Sequence, residues 1–73
     1  MGEPWTWVDA RLALPPKELY EYTDTVLVWA KQHDQEIYGY ELAYYCYRRS
    51  LWYFPMAAHR MTPLYWMSLE PPG

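Results

Sequence analysis

Glu36-Ile-Tyr-Gly-Tyr-Glu-Leu-Ala-Tyr-Tyr-Cys-Tyr47 is the stretch whose reading decides the fold. At a period of two, one set of residues is Tyr38, Tyr40, Leu42, Tyr44 and Cys46, and the other is Ile37, Gly39, Glu41, Ala43, Tyr45 and Tyr47. The first set is wholly apolar or aromatic. Rings pack well on a pleated, half-buried surface, which favours a long central strand with its ring-lined face turned inward. A helix running through Ile37, Tyr40 and Tyr44 is the competing reading, and Gly39 weakens it by about 1 kcal/mol relative to Ala.

Working outward, Thr25-Val-Leu-Val-Trp-Ala30 is β-branched, apolar and bounded by polar residues, as a buried strand should be. The polar link Lys31 to Gln35 contains Asp34, whose side chain can close a turn, so the two runs are expected to pair as an antiparallel hairpin. Leu51-Trp-Tyr-Phe54 reads as a third strand ended by Pro55, which cannot donate to a ladder. Met56 to Met61 reads as a connecting loop or one helical turn, and Leu64-Tyr-Trp-Met67 as a fourth short strand. On the N-terminal side, Trp5, Val8 and Leu12 share one side of a helical turn, the spacing of a short turn or 3-10 segment packed on the sheet. Pro16 suits the first position of a short helix Lys17 to Tyr22, and Glu18 suits its dipole. The expected fold is α+β or mostly β: a small curled antiparallel sheet of three to four strands with a short N-terminal helical or 3-10 segment on it. Residues 1–73 form a single small domain with frayed ends at about 1–4 and 70–73.

A chain of 73 residues has a thin core, since a domain of this size buries only about 60% of its unfolded surface. Five Trp, nine Tyr and one Phe exceed what such a core can shelter with every O–H and N–H satisfied. Some rings must therefore face outward, where Tyr, Trp, Met and Arg are the types enriched at interfaces. The net charge of −3 gives no overall pull toward phosphates, so direct nucleic-acid binding is not expected. A single cysteine, Cys46, excludes an internal disulfide and fits a reducing, cytoplasmic setting. The chain opens without a basic-then-apolar leader, and no apolar run approaches the ~20 residues that span a bilayer.

Catalytic chemistry finds little to stand on. His33, His59 and Cys46 are scattered with no zinc-type spacing, so no metal site and no cofactor are expected. Cys46 and His59 are formally a nucleophile and base, but a thiol in the inward set of an aromatic strand behaves as a small hydrophobe. Glu36 and Glu41 fall on opposite faces by parity and are no carboxylate pair. The three glycines, Gly2, Gly39 and Gly73, form no phosphate-cradling cluster. The expectation is a protein that is not an enzyme. Arg48 and Arg49 lie beside Tyr45, Tyr47, Trp52 and Tyr53, and these six residues make the candidate interaction patch, guanidinium groups next to rings. The plainer explanation of the two arginines is a solvated turn that blunts a strand end.

Trp5-Thr-Trp-Val8-Asp-Ala-Arg11-Leu12 resembles the Trp-x-x-Val-x-x-Arg-Leu-Pro opening of the small phage and prophage proteins grouped as domain-of-unknown-function family 551. Val26-Leu27-Val28, Trp52 and the ending Trp66-Met-Ser-Leu-Glu-Pro-Pro72 are similar to that family's later features, in the same order. The chain departs from the pattern at Ala13, at Tyr65 where the family has His, and at Ser68 where it has Pro. The family carries no established activity, so the resemblance implies a fold and a phage setting, with Trp5, Arg11, Trp52 and Trp66 as matched and structural positions. The expected function is then a non-catalytic protein that docks on a host protein, for example as a counter-defence inhibitor of a nuclease or CRISPR effector. The alternatives are a small-ligand or nucleotide-binding module that stacks its ligand on Trp and Tyr, and a self-associating module that buries its edge strand in a homodimer.

Overall fold

In the computed structural model the described residues are 6–18 and 21–69, and they form one five-stranded antiparallel sheet. The strands are β1 (Val8–Asp9), β2 (Val26–Gln32), β3 (Tyr38–Cys46), β4 (Leu51–Tyr53) and β5 (Met61–Ser68). Their order across the sheet is β1-β5-β2-β3-β4. The β2–β3 hairpin forms as its sequence requires, with Val26 opposite Ala43 and Lys31 opposite Tyr38. Asp34 takes a φ of 68° in its turn, a conformation that Asp tolerates better than most residues.

The sheet has one strand more than the expected three to four. β1 is only two residues long, and it exists because Val8 and Asp9 find Trp66 and Tyr65 across the ladder, a pairing no local signal announces. β5 is also longer than the expected Leu64–Met67. It begins at Met61 and passes through Pro63 beside a register shift at Trp29/Ala30, where Leu64 is the extra residue.

No α-helix occurs among the described residues. Leu12 is 84% exposed and does not pack on the sheet. Its N–H and that of Ala13 donate to the Asp9 carbonyl, so 9–13 makes a single turn after β1. The expected helix from Lys17 to Tyr22 falls partly on residues 19 and 20, outside the described residues. On its flanks Lys17 bridges Thr23, the Glu18 N–H donates to the Tyr22 carbonyl, and Glu21 has 3-10 geometry. Backbone pairing of Tyr22 with Cys46 claims those residues for the sheet. Trp5 and the expected frayed ends lie outside the described residues.

The largest correction concerns which face of β3 is inside. The core is Val26, Val28, Ala30, Ala43 and Trp66, with Val8, Ala10, Trp52, Phe54 and Met61 packed against it. Ala43 belongs to the set expected to face outward, whereas Tyr38, Tyr40 and Leu42, expected inside, are exposed. Volume explains the inversion. Short side chains on the Val28 side leave room for Trp66, Trp52 and Phe54 and for the connections that lie over them. β4 at one edge must be joined to β5 on the far side of β2, and the residues flanking that connection, Phe54 and Met61, both pack on the core cluster. Residues 10–16 add a second cover, tied down where Trp66 Nε1 donates to the Ala13 carbonyl at 2.9 Å and Tyr47 Oη donates to the Pro15 carbonyl. Thr23, also buried, accepts the Tyr45 N–H on its hydroxyl at 2.9 Å and donates to the Asp24 carbonyl, extending the β2–β3 pairing past the end of β2.

Candidate functional site

The uncovered face of the sheet collects the rings. Register places Leu27, Trp29 and Lys31 of β2, Tyr38, Tyr40, Leu42 and Tyr44 of β3, Tyr65 and Met67 of β5 and Tyr53 of β4 on it. Trp29 anchors one end, with its ring 4.9 Å from that of Tyr40 and 6.0 Å from that of Tyr38. Trp7, just before β1, stacks on Tyr40 at 6.0 Å. These contacts build an open cleft of about 390 Å³ lined by Trp7, Trp29, Tyr40 and Tyr65. Tyr40 is the most accessible of the four, 63% exposed. At the other end Tyr44 stacks on Tyr53 at 5.4 Å and meets Tyr22 edge-on at 5.7 Å.

Charge is confined to the rim of this face. Asp9, opposite Tyr65 in the ladder, accepts the Arg11 backbone N–H and two guanidinium hydrogens at 2.8–3.1 Å. The hydrogen bonds from Arg11 hold the Asp9 carboxyl below its usual range, and the same pairing raises Arg11. Arg11 therefore stabilises the turn after β1, with its side chain 78% exposed. At the hairpin end Tyr38 Oη donates to Glu36 at 3.0 Å, and that bond to a carboxylate raises the phenol pKa. Tyr22 is raised as well, first by the charge that Cys46 would carry and then by burial.

The six residues of the candidate patch are not gathered on one surface. Arg48 and Arg49 sit exposed in the β3–β4 turn. Tyr45 and Trp52 face each other across the ladder at 5.5 Å on the core side, where both are half-buried. Tyr47 turns its hydroxyl to Pro15, and Tyr53 lies on the opposite, ring-lined face against Tyr44. Of the other positions singled out in the sequence, Trp52 and Trp66 belong to the core and Arg11 to the turn.

Among the described residues no group of three or more His, Cys, Asp or Glu converges to hold an ion. Cys46 is buried at one end of β3, while His59 lines a polar hollow with Gln32, His33 and Asp34 at the other. At about 3.3 Å per residue the strand separates the two ends by roughly 26 Å, so Cys46 and His59 are no pair. His33 Nε2 lies 3.4 Å from Asp34, an exposed contact between neighbours in sequence.

No family model, curated protein or solved structure matches the chain. No helix among the described residues is long and apolar enough to cross a membrane.

The cleft residues Trp7, Trp29, Tyr40 and Tyr65 were not singled out by sequence reasoning as a group. A usable signal was present in β2, where Val26, Val28 and Ala30 alternate with the larger Leu27 and Trp29. In a domain with a thin core the small set faces the side that must be covered, and the large set is left outside.

Proposed function

We propose that this protein is a non-catalytic recognition module that docks on another protein through the ring-lined face of its sheet. The observation that carries the reading is the open cleft formed by Trp7, Trp29, Tyr40 and Tyr65, continuous with Tyr38 and Leu42. Rigid, amphipathic rings with an uncharged centre and a charged rim are the composition of energetic centres in protein interfaces. The resemblance to small phage proteins adds the setting, a host cytoplasm with a host protein as target, and counter-defence inhibition as the role. Arg48 and Arg49 stand at the tip of the β3–β4 turn and extend the contact beyond the rings.

A second reading is favoured by the size of the cleft, since about 390 Å³ falls in the range of small-molecule sites. There the occupant is a flat ligand stacked on Trp29 and Tyr40. Tagged wild-type protein and a Trp29→Ala/Tyr40→Ala variant, each exposed to host lysate and to a small-molecule extract, separate the readings. A stoichiometric host protein held by the wild type and lost from the variant supports docking. A small molecule retained on native mass spectrometry, with no such protein, supports the second reading. Equal capture by wild type and variant overturns both.

A further inference from the structure

β3 has an edge that none of the described residues uses. Tyr38–Ala43 pair along β2 and Tyr45 and Cys46 meet Thr23 and Tyr22 on the same side, but β4 covers only Tyr44, Tyr45 and Cys46 on the other. The direction of the free groups follows from three hydrogen bonds on the β2 side: Gln32 N–H to the Ile37 carbonyl, Thr23 N–H to the Tyr45 carbonyl, and Tyr47 N–H to the Glu21 carbonyl. Odd-numbered residues of β3 therefore turn their backbone groups inward, and Tyr38, Tyr40 and Leu42 turn theirs outward. Among the described residues no backbone partner meets those groups. Exposed edges are ordinarily guarded by lysine, proline or a bulge. This one has no lysine, proline or bulge over Tyr38–Leu42; its one charge is Glu41 on the Val28 side, and its side chains on the ring face are apolar or aromatic.

We infer that this edge pairs with the same edge of a second copy, giving a two-fold dimer with Tyr40 opposite Tyr40. The occupant and the register both follow from the residues present. Tyr40 is the middle of the three outward-facing positions, so a dyad there sets Tyr38 against Leu42 and matches every free donor to an acceptor. Glu41 then faces Gly39 rather than another carboxylate. A shift that puts Glu41 on the axis opposes two like charges and drives Tyr38 of the copy into the place Tyr53 holds opposite Tyr44. A shift the other way, to Gly39 on the axis, recruits Glu36 and Ile37, which lie outside the strand. The dyad runs perpendicular to the sheet, so both ring-lined faces stay on the same side and join into one surface. This goes beyond the docking reading and does not depend on it.

Size-exclusion chromatography with light scattering over a dilution series tests the dimer. The wild type should have twice the chain mass and fall to one on dilution, while Leu42→Pro, which removes an N–H unused within the chain, should be monomeric with an unchanged circular dichroism spectrum. If Leu42→Pro fails to fold, Tyr40→Lys, which sets two ammonium groups face to face on the dyad, serves in its place. Register is read by mixing Gly39→Cys with Glu41→Cys chains, because opposed non-hydrogen-bonded positions lie about 4.5 Å apart, within disulfide reach. The mixed disulfide should form in preference to either homodisulfide. A wild type that is monomeric at every concentration overturns the inference, as does a folded Leu42→Pro or Tyr40→Lys chain that remains dimeric or a mixture that yields homodisulfides instead.

Discussion

Aspartate placed at two successive residues of β3 should have opposite consequences. Ala43 is fully buried opposite Val26, so an ionised carboxylate there is stripped of water. Such a burial costs several kcal/mol even after relaxation. A 73-residue chain at roughly 0.05–0.15 kcal/mol per residue holds only about 4–11 kcal/mol in all. Ala43→Asp should leave the protein largely unfolded at neutral pH. Leu42 points to the ring-lined face and keeps 43% of its surface in water. Replacing it forfeits about half the value of a fully buried leucine, near 1 kcal/mol, plus up to about 1 kcal/mol of strand preference. With a urea slope of about 1 kcal/mol per molar, Leu42→Asp should lower the unfolding midpoint by about 1–2 M, followed by tryptophan fluorescence. The sign of the pH effect is a further check. Burial raises the carboxyl pKa of Asp at position 43 in the folded state, so that variant should regain structure below about pH 4 and lose it as pH rises. A stable Ala43→Asp chain beside an unfolded Leu42→Asp chain would show that the faces of β3 had been assigned backwards.

Other outcomes follow from single contacts. Trp66→Phe removes the donor to the Ala13 carbonyl and should cost on the order of 1 kcal/mol in urea unfolding, with proteolysis of 10–16 quickened. Gly39→Ala should be neutral or stabilising by about 0.5–1 kcal/mol, since an added Cβ meets nothing within 4 Å; a loss of stability would contradict the open space at that position. Tyr38 and Tyr22, both raised, should ionise later than free tyrosine in an ultraviolet titration, and Glu36→Gln should bring Tyr38 forward. As both phenols have folded pKa values above their unfolded ones, their stabilising effect is complete below about pH 10 and is lost as pH rises through the folded values. Cys46, 2% exposed, should resist thiol reagents in the native state and react at once in denaturant.

The hairpin at the centre of the sheet was legible because Val26 to Ala30 and Tyr38 to Cys46 are long enough to declare their period, with a turn residue, Asp34, between them. The same period could not say which set faces inward. Tyr38, Tyr40 and Leu42 are the more apolar set, and hydrophobicity alone sends them inside; the space over the other face, taken by Trp66, Phe54 and the 10–16 cover, decides otherwise. β1 was missed for a related reason, since Val8 and Asp9 carry no strand signal until Trp66 and Tyr65 lie beside them. For the candidate site, the excess of rings was readable from composition and implied an exposed surface. Its location was not, because Trp7, Trp29, Tyr40 and Tyr65 are brought together by four separate segments. Arg48 and Arg49 were sought near rings that the fold had already employed as structure.

The strand that completes the sheet comes late in the chain. β5, residues 61–68, lies second from one edge with β1 on one side and β2 on the other, so β2, β3 and β4 can zip together as a meander while Val26, Val28 and Ala30 still face water. During synthesis this leaves an intermediate that is apolar on one side and ring-lined on the other, with β1 waiting for a neighbour not yet made. Closure of the core over Val26, Val28 and Ala30 therefore waits for the last strand, whatever part of the meander has formed before it.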